Sequence, residues 1–237
     1  MLSFEQFFSD CVGSWTTERT YHATLTGEVE RSHTKFQVNA LTSVDKQKII
    51  SGLSSSEEIP GHISFSSELL ASVVALKSGQ NDMPCPGFSI AFDTESEKGE
   101  TVAMDLNALF IPDVYFSMET KGSPFVLPPA AQVEPQSDLV QGIYLRDRGY
   151  FDASAIAGWF TYQPTRQTLE MTTYYSKSVA VDQMRSITPA LRIRTIVTYQ
   201  RSEGEPPSVI DLVGFGVEHK SAESSVDPSQ TATWAQS

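Results

Sequence analysis

Ser3-Phe4-Glu5-Gln6-Phe7-Phe8-Ser9-Asp10-Cys11-Val12-Gly13 runs directly into Ser14-Trp15-Thr16-Thr17-Glu18-Arg19-Thr20-Tyr21-His22-Ala23-Thr24-Leu25-Thr26, and the spacing of apolar residues changes at the glycine. Before it, Phe4, Phe7, Phe8, Cys11 and Val12 fall on one face of a helix over 3–12, with Ser3 as N-cap and Gln6 completing a capping box. Gly13 stops that helix. Beyond it the period is two: Trp15, Thr17, Arg19, Tyr21, Ala23 and Leu25 share one face of an extended segment. A strand entered straight from a short helix sets the frame for the rest of the chain.

Downstream, strands are expected at Lys35 to Leu41 and Lys48 to Leu53, and an apolar segment covers Leu69 to Leu76. After the breaker cluster Asp82 to Gly87, short strands follow at Phe88 to Phe92, Val102 to Phe110 and Val114 to Met118. Pro124 to Pro135, with Pro128-Pro129, reads as a long connection because proline cannot pair in a central strand. A meander then runs through Gly142 to Arg146, Ala155 to Gln163, Thr168 to Ser176, Leu191 to Gln200 and Val209 to Glu218. This pattern predicts an all-β protein, an antiparallel sandwich or barrel. One domain over 1–220 is expected, and 221–237, rich in Ser, Thr, Ala and Gln, reads as a disordered tail.

Composition narrows the partners. The 237 residues carry 29 acidic against 17 basic side chains, a formal net charge of -12, the wrong sign for a phosphate backbone or an anionic bilayer. Nucleic acid and membrane insertion are therefore not expected. The N-terminus has no basic region ahead of an apolar block, so no export signal is read. Two cysteines, Cys11 and Cys85, in unrelated contexts suggest a reducing compartment.

The familiar catalytic signatures are missing: no G-x-S-x-G elbow, P-loop, dinucleotide-binding glycine motif or C-x-x-C occurs. His22, His33, His62 and His219 lack ligand spacing, so no metal site is expected. The protein either binds, or handles a ligand that carries its own reactivity.

Several strand residues need a reason. Arg19 shares a face with Trp15, Thr17 and Tyr21, and a guanidinium there requires an anion, either a ligand carboxylate or an internal Asp or Glu, unless the strand faces the other way. Arg192 and Arg194 share a face opposite Leu191, Ile193 and Val197. On period alone that face is solvated, although a spacing of about 7 Å would let the pair grip a flexible dicarboxylate. Asp182 reads as a turn or cap residue and Asp211 as a strand-entry residue, each with a catalytic role as the alternative. Trp159, Phe160, Tyr162, Tyr174 and Tyr175 either pack the core or line a flat ligand.

Three ordered blocks carry a resemblance. Gly13-Ser14-Trp15-Thr16-Thr17-Glu18-Arg19-Thr20-Tyr21-His22, Tyr144-Leu145-Arg146-Asp147-Arg148-Gly149-Tyr150 and Pro189-Ala190-Leu191-Arg192-Ile193-Arg194-Thr195 resemble the G-x-W-x-x-x-R-[ST]-x-H, Y-L-R-D-x-G-Y and P-N-L-R-L-R-T segments of the S-type phycobiliprotein lyases, the CpcS/CpeS family. The resemblance implies a lipocalin-like antiparallel up-and-down β-barrel with a short N-terminal helix. It implies a phycobilin, phycocyanobilin or phycoerythrobilin, as bound substrate rather than prosthetic group, attached through a thioether to a cysteine of a phycobiliprotein apo-subunit.

The same resemblance turns Arg192 and Arg194 inward onto the bilin propionates and places Asp182, where the family usually has Glu, near the pyrrole nitrogens as the acid. Arg19, Trp15 and Tyr174 complete the implied bilin site. The family often has Ser where this chain has Ile196. A homodimer or a heterodimer with a related lyase subunit, in a cyanobacterial cytoplasm or an algal plastid stroma, belongs to the same expectation. The competing reading is a lipocalin-like carrier of a bilin or other apolar carboxylic acid without transfer activity; a β-barrel hydrolase is disfavoured by the missing triad patterns.

Overall fold

Helix α1 (Phe4–Cys11) is capped by the Ser3 hydroxyl, which accepts the Gln6 N–H at 3.2 Å. The Gln6 amide turns forward to Asp10, so only half of the capping box forms. Gly13, at φ +130°, then turns the chain into β1 (Gly13–Ala23). The computed structural model describes residues 1–53, 63–65, 85–118, 126–134, 138–147, 156–201 and 206–221. The expected apolar segment at 69–76 and the tail beyond 221 lie outside the described residues.

After β1 come β2 (Val29–Ala40), helix α2 (Ser43–Leu53), β3 (Ile63–Phe65), β4 (Gly87–Ser96), β5 (Thr101–Pro112), β6 (Phe116–Met118), β7 (Val140–Arg146), β8 (Ile156–Gln163), β9 (Thr168–Tyr174), β10 (Ser178–Thr188), β11 (Leu191–Gln200) and β12 (Ile210–Lys220). Ten of these strands close a barrel in the order β1-β2-β4-β5-β7-β8-β9-β10-β11-β12, with β12 pairing back onto β1. Every pair is antiparallel. The architecture is the expected up-and-down barrel; closure leaves no edge strand in that sheet. Among the described residues, β3 and β6 pair with each other as a separate two-stranded sheet.

Three stretches differ in kind from expectation, beyond shifts in strand limits such as β2 starting at Val29 and β4 running to Ser96. Residues 48–53 end a helix rather than form a strand: Thr42 accepts the Asp45 and Lys46 N–H groups, starting a helical turn that buries Ile49 and Ile50. Val114 to Met118 splits into a 3-10 turn, Asp113–Tyr115, and β6, outside the barrel. β10 is a full strand in a stretch to which no element was assigned, and Asp182 sits within it.

Apolar residues form layers inside and outside the wall. Within the barrel, α1 plugs one end: Phe7 and Phe8 pack at 5.0 Å from Tyr162 and 4.8 Å from Phe110, and Phe4 stacks on Phe160. The Tyr162 hydroxyl donates to the Leu2 carbonyl at 2.8 Å, pinning the start of the plug. Leu109 and Ile111 alternate with Phe110 and face out, where Leu41, Ile49, Ile50 and Trp159 join them beside α2. On another outer sector, Pro129–Ala131 lies over Val181 and Tyr199. Strands of β5 type read as continuous apolar runs because both faces are covered.

Candidate functional site

The inward faces of β1, β10, β11 and β12 carry the charged residues of the interior. Arg19 and Arg194 both pair in register with Gly216, one from each side, and Thr17 and Arg192 flank Glu218 in the same way. Since side chains alternate along a strand, Gly214, Gly216 and Glu218 point in while Phe215 and Val217 point out, 53% and 45% exposed. A Cβ on residue 216 would lie 3.0 Å from Arg19 Cγ and 2.9 Å from the Glu18 carbonyl oxygen. The bare backbone there gives the Arg19 side chain its path across β12.

Glu218 is the hub, fully buried at 0% exposure. Its Oε2 accepts from Arg192 Nε at 2.8 Å; its Oε1 accepts from Arg194 Nε at 2.8 Å and from Arg19 Nη2 at 3.4 Å. Burial alone would raise this carboxyl, but the charges of Arg194, Arg192 and Arg19 outweigh it and hold the group down at about 2. Arg194 also donates Nη1 to Asp182 Oδ2 at 2.7 Å and Nη2 to Met184 Sδ at 3.5 Å.

The floor of the cluster is tied to the plug. Arg192 stacks its guanidinium 3.8 Å from the centre of the Trp15 ring, and Trp15 donates Nε1 to the Cys11 carbonyl at 2.9 Å. Burial pushes the adjacent Cys11 thiol up, so it is a packed thiol rather than a nucleophile. Both cysteines are free and buried.

Within this cluster, two buried atoms have no hydrogen-bond partner among the described residues: Arg19 Nε, a donor, and Asp182 Oδ1, an acceptor. Across the barrel the wall is apolar and aromatic, with Phe110, Tyr144 and Phe160 buried. The Tyr144 hydroxyl is hydrogen-bonded to Thr173, and Arg146 donates to the Tyr175 hydroxyl at 3.1 Å. A charged wall facing an aromatic one suits a flat, amphiphilic acid.

Of the residues singled out from sequence, Arg19, Arg192, Arg194, Asp182 and Trp15 meet in this cluster. Tyr174 does not. It shares the outward face of β9 with Glu170 and Thr172, and its hydroxyl donates to the Val126 carbonyl at 2.8 Å beneath the 126–134 segment. Asp182, read as a turn or cap residue, lies mid-strand on β10, opposite Ile196. Asp211 stands at the start of β12, where its carbonyl accepts the Thr24 N–H. The arginine face is not solvated; an internal acid pairs with all three arginines.

That acid, Glu218, was missed. Its signal was the alternation Gly214-x-Gly216-x-Glu218 beside arginines that needed an anion, obscured because the apolar residues of β12 face outward.

The family model for CpeS-like proteins matches residues 3–60 and 128–221. A chromophore lyase CpcS/CpeS 1 from Synechococcus sp. (strain JA-3-3Ab) is 37% identical over 221 residues, 93% of this chain and 97% of that protein. The structure of an S-type phycobiliprotein lyase CpeS from Guillardia theta matches with a TM-score of 0.55 at 15% identity, over 93% of this chain and 94% of the other; it shares the fold. By its sequence, from the plug helix through the R-x-R strand to the end of the barrel, this chain belongs to the CpcS/CpeS family.

Proposed function

We propose that the protein is a phycobiliprotein lyase, which holds a phycobilin non-covalently in the barrel and delivers it to a cysteine of a phycobiliprotein subunit. The observation that carries this reading, beside the family, is the pair of unsatisfied interior atoms within one cluster: Arg19 Nε can donate to a propionate, and Asp182 Oδ1 can accept a pyrrole N–H. Each of the two side chains is held through its other end, Arg19 Nη2 on Glu218 and Asp182 Oδ2 on Arg194, which leaves these two atoms to a ligand.

The chemistry divides between the two proteins. The acceptor's cysteine thiol adds to the ethylidene carbon of the bilin: a C–S bond forms, and the thiol proton ends on the tetrapyrrole. The lyase supplies position and electrostatics. A carboxylate beside the pyrrole nitrogens favours the protonated, more electrophilic ligand, and Asp182 is that group. Arg194, fixed by Glu218 and Asp182 together, orients it. Trp15 backs the guanidinium of Arg192 and seals the floor.

Titrating the protein with phycocyanobilin or phycoerythrobilin tests this reading. Binding is expected to change the bilin absorbance, and Asp182→Asn to bind with a spectrum lacking the protonated form. No absorbance change with either bilin contradicts the reading; an unaltered spectrum and transfer rate in Asp182→Asn removes the acid from that residue.

The reading extends to a cyanobacterial cytoplasm or a plastid stroma, supported by the cyanobacterial relative. It extends also to a second lyase subunit, the same chain or a related one, supported by the outward apolar residues Ile193, Phe215 and Val217. A mass that stays monomeric in sedimentation at rising concentration, alone and with that subunit, would contradict the latter.

A further inference from the structure

The 126–134 segment, between β6 and β7, lies against the outer faces of β9, β10 and β11. Pro128 and Pro129 have no N–H to give to a ladder, so side chains of the barrel hold the segment down. Tyr174 donates to the Val126 carbonyl at 2.8 Å, the Ala130 N–H donates to the Tyr199 hydroxyl at 3.1 Å, and Gln183 Nε2 donates to the Ala130 carbonyl at 3.3 Å. Ala131 packs with Val181 and Tyr199 and is 1% exposed.

The same wall carries a polar row that crosses five strands in register: Gln141, Thr161, Glu170, Gln183 and Thr195. Thr195 Oγ1 donates to Gln183 Oε1 at 3.4 Å, and Gln183 Nε2 donates to Glu170 Oε2 at 2.6 Å. Thr161, opposite Glu170, breaks the chain. Its Oγ1 is buried with no hydrogen-bond partner among the described residues, and so is Gln163 Oε1, two residues along the same face. Both atoms can accept, and the amide oxygen can only accept. A neutral Glu170 carboxyl supplies the missing donor; a carboxylate supplies none. The charged residues of this sector, Arg185 on β10, Arg166 after β8, Asp113 and Glu134, are exposed, and among the described residues none is bonded to Glu170. Its titratable tyrosines, Tyr174 and Tyr199, are spent on the segment.

We propose that the 126–134 segment is a proton-dependent strap, closed on the wall while Glu170 is a neutral acid and released locally, with the barrel intact, when that acid gives its proton to solvent. The inference is independent of the bilin-binding reading. Once ionised, Glu170 is a buried carboxylate with a single hydrogen bond, from the same Gln183 amide that holds the Ala130 carbonyl. Such a charge needs water, and lifting a segment held by side chains admits it at less cost than opening the ladders. Burial pushes the Glu170 carboxyl up to about 7 from the ordinary 4.5. The closed strap therefore binds the proton more tightly than the open one, and closure weakens as pH rises through about 7.

Hydrogen exchange tests this on the native chain and on Glu170→Gln, with rates corrected for the intrinsic effect of pH on amides. The reporters are the N–H groups of Ala130, Ala131 and Gln132, each hydrogen-bonded in the closed strap; the amides of β8 are the reference for the barrel. A carboxyl at about 7 when closed and 4.5 when open predicts about a tenfold rise in strap opening from about pH 6 to about pH 8. The β8 amides should not change, and Glu170→Gln should abolish the rise. Strap protection that does not vary with pH contradicts the proposal, as does a rise shared equally by β8, which is global unfolding. A rise that persists in Glu170→Gln assigns the proton to another group and overturns it too. So does opening that follows potassium or sodium concentration at fixed pH, which would put a metal cation, not a proton, beside Thr161 and Gln163. Should the variant not fold, the native chain with its β8 reference decides alone.

Discussion

Glu170 is 2% exposed on the outer face of β9, where its carboxylate accepts the Gln183 amide at 2.6 Å beneath the 126–134 segment. Burial pushes this carboxyl up to about 7, with the Gln183 bond working the other way. The folded-state value lies above the ordinary 4.5, so the folded protein binds the proton more tightly than the unfolded chain. Its contribution is complete below about 4.5 and is lost as pH rises through about 7. Glu170→Gln keeps the shape and removes the titration. It should gain on the parent as pH rises, by roughly 2–3 kcal/mol at about pH 8, read from urea midpoints; a gap that does not change with pH would contradict this assignment. Glu218 has the opposite sign: held at about 2, it stabilises the fold above its ordinary 4.5, and that contribution is lost as pH falls toward 2. At this scale the sequence made the arginines conspicuous and left their partner hidden. Arg19 stood out because a charge shared a face with Trp15 and Tyr21, whereas Glu218 shares its face with two glycines, which offer no hydrophobic signal. Tyr174 misled for a related reason: an aromatic side chain is apolar enough for either face, and here a segment distant in sequence covers the outer one.

Elements with a single period were legible, and those completed by distant chain were not. The plug helix and β1 came directly from the change of spacing at Gly13. Around β8 and β9 the strand limits also agreed within a few residues. The C-terminal half of helix α2, 48–53, reads as a strand in the sequence because Ile49-Ile50 is a short apolar pair that fits either state; the helical signal lies upstream, in the Thr42 cap and Asp45. β10 was lost for a different reason. Val179 and Val181 face outward beneath the connection that carries Pro129–Ala131, while Ala180, Asp182 and Met184 face the interior. An alternation with a charge on the buried side reads as a loop until the ion pair that satisfies it is seen.

At the scale of the molecule, the excess of acid and the interior arginines belong to one arrangement. A chain of net charge -12 keeps its cations Arg19, Arg192 and Arg194 inside a closed barrel, held by an internal carboxylate and backed by Trp15. The aromatic plug at one end directs a ligand to enter from the other, where Arg19, Arg194 and Asp182 retain partial exposure. Such a barrel holds and orients its cargo while the nucleophile comes from outside, which explains why no nucleophilic motif was found in the sequence. The most direct test is to mix the purified protein and phycocyanobilin or phycoerythrobilin with candidate phycobiliprotein apo-subunits, and to look for zinc-induced fluorescence on the denatured acceptor. The account predicts a covalent, fluorescent adduct at one acceptor cysteine, formed faster with the protein than without it. Tight bilin binding with no adduct above the spontaneous rate on any subunit would contradict it and leave a carrier.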